Sequence, residues 1–175
     1  MEGKVDFRDL AWGDFEDLVG NYYSYYEELS ETPSLGLILF SEKPSRAAEM
    51  EWFANVFSGI LRGEQVASVA VADGRTVGLA QVHRKGPQED IAHVGHLGIS
   101  VHRDYRGRGI GSALLADVLA KARKHFEVVE LTVFRENDRA RHLYEKHGFQ
   151  SVGTVPRAVK RRGKYYDEEL MVLVL

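Results

Sequence analysis

At 175 residues, with 44% apolar and 28% charged side chains, the chain has the size and composition of one globular domain spanning residues 1–175. It contains no cysteine, which excludes disulfides, thiolate metal sites and a thiol acyl-enzyme. The start carries no basic-then-apolar leader and no apolar run approaches the roughly 18 residues that span a bilayer, so a cytoplasmic protein without membrane contact is expected.

The net charge of −3 is unevenly spread. Residues 1–51 hold 12 acidic and 4 basic side chains, whereas residues 52–175 hold 14 acidic and 19 basic ones. An anionic ligand therefore suits the later part and a cationic one the earlier. No continuous basic stripe with interleaved aromatics is present, and nucleic acid is not an expected partner.

Val5 to Leu10 reads as a first strand. From Asp14 to about Glu28, Phe15, Leu18, Val19 and Tyr22 recur at helical spacing, and Tyr22, Tyr23, Tyr25 and Tyr26 crowd the end of that helix. The stretch around 30–43 contains Pro33 and Gly36 and reads as a loop. Ser45, after Pro44, is placed to cap a helix reaching about Arg62. Gln65–Ala72 and Thr76–His83 form a hairpin through Asp73-Gly74. Ile91–Val101 reads as a central strand. Beyond a glycine-rich turn, Ile110, Leu114, Leu115, Val118, Leu119 and Ala122 give a helix to about Lys124 one buried stripe. Glu127–Phe134 is the next strand, and the strand–helix–strand crossover implies parallel pairing. A helix over Asn137–His147 follows, then two strands, Phe149–Val159 and Tyr165–Leu175, turning at Arg162-Gly163.

The turn Arg106-Gly107-Arg108-Gly109-Ile110-Gly111-Ser112 joins strand to helix and carries glycine at alternate positions. Bare backbone there lets amide N–H groups approach a ligand, and the helix start adds partial positive charge, so the turn suits a phosphate. It lacks the lysine of a Walker-type loop, and its G-x-G-x-G spacing departs from the dinucleotide fingerprint. Among the histidines, His93 and His96 stand three apart on a strand and face opposite sides, so no metal site is expected.

Arg106-x-x-Gly109-x-Gly111 after a strand, followed by Asn137-x-x-Ala140-x-x-Leu143-Tyr144-x-x-x-Gly148-Phe149, resembles the two signatures of the GNAT superfamily of acetyl-CoA-dependent N-acetyltransferases. The resemblance implies an α/β (α+β) GNAT fold: a central mixed, mostly antiparallel sheet with one splayed parallel strand pair and helices on both faces. It implies acetyl-CoA as co-substrate, no metal, and direct acetyl transfer to a primary amine, either a small molecule or a peptide or protein N-terminus. Backbone groups of Leu97, Ile99 and Val101 would pair with the acetyl carbonyl and pantetheine amides. Amides of Arg106, Gly107, Arg108, Gly109, Ile110, Gly111 and Ser112 would hold the pyrophosphate. Asn137 and Tyr144 share a helix face with small Ala140 between them, which suits a thin pantetheine arm.

Tyr144 resembles the family's general acid for the departing thiolate. The general base stays open between His93 and Glu130, with His96 next. Relatives that acetylate ribosomal-protein N-termini carry a glutamate where this chain has Thr132, and histone-acetylating relatives carry one where it has His93. The terminal strands of this family often pair two copies into a homodimer. The reading from another class is a non-catalytic acyl-CoA-binding regulatory module.

Overall fold

A computed structural model describes residues 4–175. Seven strands form one sheet in the order β1-β2-β3-β4-β5-β7-β6. The strands are β1 (Val5–Asp9), β2 (Gln65–Ala72), β3 (Arg75–Arg84), β4 (Val94–Val101), β5 (Val128–Phe134), β6 (Gln150–Arg161) and β7 (Lys164–Val174). Four helices accompany them: α1 (Phe15–Glu31), α2 (Arg46–Leu61), α3 (Ile110–Ala122) and α4 (Asp138–Lys146). Only β4 and β5 pair in parallel; every other neighbouring pair is antiparallel. This is the mixed, mostly antiparallel sheet with one parallel pair that the resemblance implies.

Local chemistry accounts for most element boundaries. Asp73 and Gly74 both adopt positive φ (50° and 76°), as a two-residue hairpin turn between right-twisted strands requires. Ser45 caps α2 by accepting a hydrogen bond from the Ala48 N–H at 3.2 Å. The expected helix over Asn137–His147 begins one residue later, because Asn137 is its cap, its side chain accepting from the Ala140 N–H at 3.2 Å. The central strand is shorter than the expected Ile91–Val101. Residues Glu89–Ile91 form a 3-10 turn and β4 starts at Val94, because its antiparallel partner β3 ends at Arg84 and the last bond on that side is Lys85 N–H to Val94 O at 2.9 Å.

The period-two pattern of β2 sorts the two faces. Val66, Ala70 and Ala72 pack with Leu114, Leu115 and Val118 of α3, while Ala67 and Val69 pack with Phe53 and Val56 of α2 and Leu18 of α1. Helices thus cover both faces. Two buried polar ties fix them to the sheet. Ser68 on β2 donates to Asp117 of α3 at 2.6 Å and accepts from Lys121 at 2.8 Å. Asp14, just before α1, takes a two-pronged bond from Arg8 of β1 (2.8 and 2.7 Å), the Ala11 N–H and the Thr76 hydroxyl of β3. Burial works against the Asp14 anion, but these donors hold its carboxyl below the usual carboxylate range. No helix among the described residues is long and apolar enough to cross a membrane.

Candidate active site

The site begins where β4 and β5 part. They pair only over Val94–His96 and Val128–Glu130; beyond that, each keeps an antiparallel partner on its outer edge and loses the other. The V-shaped opening continues into a cavity of about 840 Å³, whose walls include Ile99, Ser100 and Val101 of β4, Thr132 and Val133 of β5, and the inner face of α4.

At its wide end lies the glycine turn. Gly107 and Gly109 adopt positive φ (83° and 77°), the left-handed region that favours glycine. Among the described residues, no intrachain acceptor is found for the backbone N–H groups of Gly107, Arg108, Gly109, Ile110 and Gly111. These five donors, alternating in hand and opening α3, make a concave anion nest. The outer two of the seven expected amides are already used: Arg106 N–H bonds Arg103 O at 3.3 Å and Ser112 N–H bonds Gly109 O at 3.0 Å.

The side chains of this turn behave differently from its backbone. Arg106 is committed within the protein, its Nε donating to Val101 O at 2.8 Å and its two terminal nitrogens gripping Glu28 of α1. It fixes the turn against β4 and α1. Arg108 points away, over the Tyr105 ring at 5.4 Å. Ile110 and Leu97 are buried in the core and line no part of the cavity. Ser112 Oγ lies 2.8 Å from Nε2 of His147, whose pKa is lowered by burial and by neighbouring Lys146.

α4 supplies the opposite wall. Its placement is fixed by Arg141, whose Nε lies 2.7 Å from the buried Glu169 carboxylate on β7. Arg139, His142 and Lys146 all border the cavity and form a basic stripe beside the nest. The stripe was not among the expected site residues, although its helical spacing is a signal for it. Asn137, Ala140 and Tyr144 border the cavity too. Tyr144 is 9% exposed, stands edge-on to Phe149 at 5.8 Å, and burial pushes its phenol up to about 12. The phenol therefore stays protonated at neutral pH.

The candidate bases are not brought to Tyr144. His93 is exposed in the turn before β4, at the paired end of the strand, and Glu130 sits in the paired part of β5 with Lys85 Nζ at 2.8 Å. Neither borders the cavity, and nor does His96, which lies 3.8 Å from Glu130. The expected strand position of His93 is corrected by the late start of β4. Thr132 does border the cavity, so the position that carries a glutamate in some relatives faces the site here with a hydroxyl.

The connection between α1 and α2 closes the cavity. Arg161 of β6 donates to the carbonyls of Pro33 (2.7 Å), Leu35 (2.9 Å) and Leu37, pinning it in place. Gly36 packs so tightly on the Asn137 amide that a Cβ there would lie 2.6 Å from its nitrogen. A second cavity of about 410 Å³, between α1, α2 and β3, shares Ser100 with the first. Sequence spacing carries no signal for that junction.

Residues 8–149 match the acetyltransferase (GNAT) family. The chain belongs to that family. It is similar to the L-amino acid N-acetyltransferase AaaT of Escherichia coli (strain K12), with 34% identity over 109 residues covering 61% of this chain and 66% of that protein. It is similar to the N-alpha-acetyltransferase RimI of Mycobacterium tuberculosis, with 42% identity over 84 residues covering 48% of this chain and 51% of that protein. The matched stretches thus span about half to two thirds of these relatives' own lengths. Its fold superposes on a ribosomal-protein-alanine N-acetyltransferase from Brucella melitensis with a TM-score of 0.83, at 24% identity over 97% of this chain and 99% of that one. It superposes equally, with a TM-score of 0.83 and 17% identity over 98% of this chain and 94% of that one, on yncA from Salmonella typhimurium, solved with acetyl-CoA.

Proposed function

We propose that this protein transfers the acetyl group of acetyl-CoA directly to a primary amine. The observation that carries this reading is the alignment of three features along one opening: the five unpartnered amides of Gly107–Gly111, the separated strands β4 and β5, and the phenol of Tyr144. A diphosphate held on the amides would lay a thin arm between the strands, past Asn137 and Ala140. A thioester carbonyl bonded to a fixed β4 N–H becomes a better electrophile, because that donor stabilises the developing oxyanion. Holding amine and thioester together supplies much of the remaining acceleration.

In the transfer, the amine nitrogen attacks the thioester carbon, the C–N bond forms and the C–S bond breaks. An ammonium acceptor sheds one proton before attack and the nitrogen sheds a second afterwards. The departing thiolate takes one proton, and we assign its donation to Tyr144, which burial keeps protonated; one of the two protons shed by the nitrogen then restores the phenol. The products are the N-acetyl amine, the free thiol and one proton in solution. With no cysteine in the chain, transfer without a thiol acyl-enzyme is the consistent route.

We place the reaction in the cytoplasm, where the co-substrate is available. A homodimer would use β6, one of the two outer strands of the sheet, on which Val152 and Val155 are exposed; sedimentation at two protein concentrations tests it. Calorimetric titration with acetyl-CoA, followed by thiol release with a mixed amine and peptide panel, tests the activity. Heat together with thiol release supports transfer. Heat without release from any acceptor favours the regulatory module, and absence of both heat and thermal protection sinks the reading.

A further inference from the structure

We infer that the 410 Å³ cavity between α1, α2 and β3 receives the acceptor, and that it selects a compact amine with an apolar body and no carboxylate. The inference rests on the acetyl-transfer reading for the reaction and adds the substrate class.

Three observations carry it. First, Ser100 borders both cavities, so the second lies against the same β4 residue beside which the thioester would run. Second, the lining is aromatic and apolar, including Tyr22, Tyr25, Phe40, Trp52 and Leu79, and it contains no lysine, arginine or histidine. A free amino acid seated there would bury its carboxylate without a counter-charge, which is costly. The nearby cations are committed elsewhere: Lys43 lies over the Tyr23 and Tyr26 rings at 5.7 and 5.9 Å, and Arg46 pairs with Glu16.

Third, the lining holds one acid, Glu49 of α2, only 6% exposed. Among the described residues its carboxylate has no hydrogen-bond or ion-pair partner, whereas each amide-bearing side chain of the wall has one polar atom bonded within the protein. Asn21 donates to Thr76 O at 2.8 Å, and the Gln81 side-chain oxygen accepts from Gln65 at 2.9 Å. Burial raises the Glu49 pKa, and an ammonium seated in the cavity among the aromatic faces would offset that cost and favour the anion. The excess of acid in residues 1–51 draws cations toward the same side. Phe40 and Pro44, from the connection that Arg161 pins, border the cavity, whose volume of about 410 Å³ suits a small body.

The test compares 2-phenylethylamine, phenylalanine and a peptide beginning with phenylalanine. Binding is read by fluorescence, since Trp52 borders the cavity, and turnover by thiol release with acetyl-CoA. The amine is expected to bind and turn over at least about tenfold better than either competitor. Glu49→Gln should weaken amine binding by about tenfold while leaving acetyl-CoA affinity unchanged, which also shows that the variant is folded. Glu49→Asp, keeping the charge, should restore most of it. Equal or better handling of phenylalanine or the peptide, or an unaltered amine affinity in Glu49→Gln, overturns the inference. Selective amine binding without thiol release would leave the cavity assignment standing and sink acetyl transfer; thiol release with phenylalanine preferred would do the reverse.

Discussion

The groove between β4 and β5 is formed largely by backbone, whereas the cavity between α1, α2 and β3 is formed by side chains. In the first, the useful groups are five main-chain N–H donors freed by Gly107 and Gly109 and the unpaired inner edges of two strands. In the second they are the Glu49 carboxylate and a set of aromatic rings contributed by three separate segments. A backbone site demands particular residues at fixed spacing, because only some residues tolerate its dihedral angles. A side-chain site demands only that certain groups meet, and many spacings achieve that. The groove is therefore suited to a shared co-substrate and the cavity to a particular acceptor.

The comparison can be broken most severely at Tyr144, the side chain proposed to donate a proton in the backbone groove. Tyr144→Phe should lower turnover by about a hundredfold while acetyl-CoA affinity, read by calorimetry, stays within about twofold. An unchanged rate would leave Tyr144 as a packing residue. Next comes the backbone itself. Gly109→Val forces a β-branched residue to φ of 77°, and a strain of about 1–2 kcal/mol on the turn should weaken acetyl-CoA binding roughly tenfold. Gly153→Ala in β6, where no atom lies near and φ is ordinary, is the matched control and should change nothing.

Arg161 sharpens the comparison because the connection it holds lines both spaces. Arg161→Ala leaves three carbonyls without their donor, and the apparent affinities for both substrates should fall about fivefold together in steady-state kinetics. A fall in only one would show that the two spaces are independently walled. Smaller still, Arg139→Ala and Lys146→Ala should each weaken acetyl-CoA binding by about threefold at low salt, and the effect should shrink as salt rises. The smallest expected effect is in the pH profile. Tyr144 has its pKa raised from 10 to about 12, so it is protonated below that value and loses its proton only above it. Turnover measured from pH 8 to about 10.5 should show no fall attributable to this group.

Much of the groove is legible in the chain itself, because its signals are local. Asp73-Gly74 marks a hairpin, alternate glycines mark a bare turn, and Asn137, Ala140 and Tyr144 mark one helix face. The start of β4 is not legible, because nothing in Ile91-Ala92-His93 reveals that the neighbouring strand has already ended. That single boundary moves His93 out of the strand, and the paired end of β5 keeps Glu130 away from the opening. Two further signals stand in the sequence without having prompted an expectation. Arg139, His142 and Lys146 form a basic stripe on α4, and Glu49 occupies the helical stripe completed by buried Phe53 and Val56, an acid where an apolar residue belongs.

By itself the sequence determined the strand–turn–helix that presents free amides, the capped helix that carries Tyr144, and the family to which the chain belongs. Those features are set by dihedral preference and periodicity, which act between residues close along the chain. The tertiary structure alone decided that β4 and β5 part after three paired residues, that Arg106 spends its charge on Glu28, and that Ser100 borders both spaces. These outcomes depend on register and on contacts between segments far apart in sequence, and no local pattern encodes them.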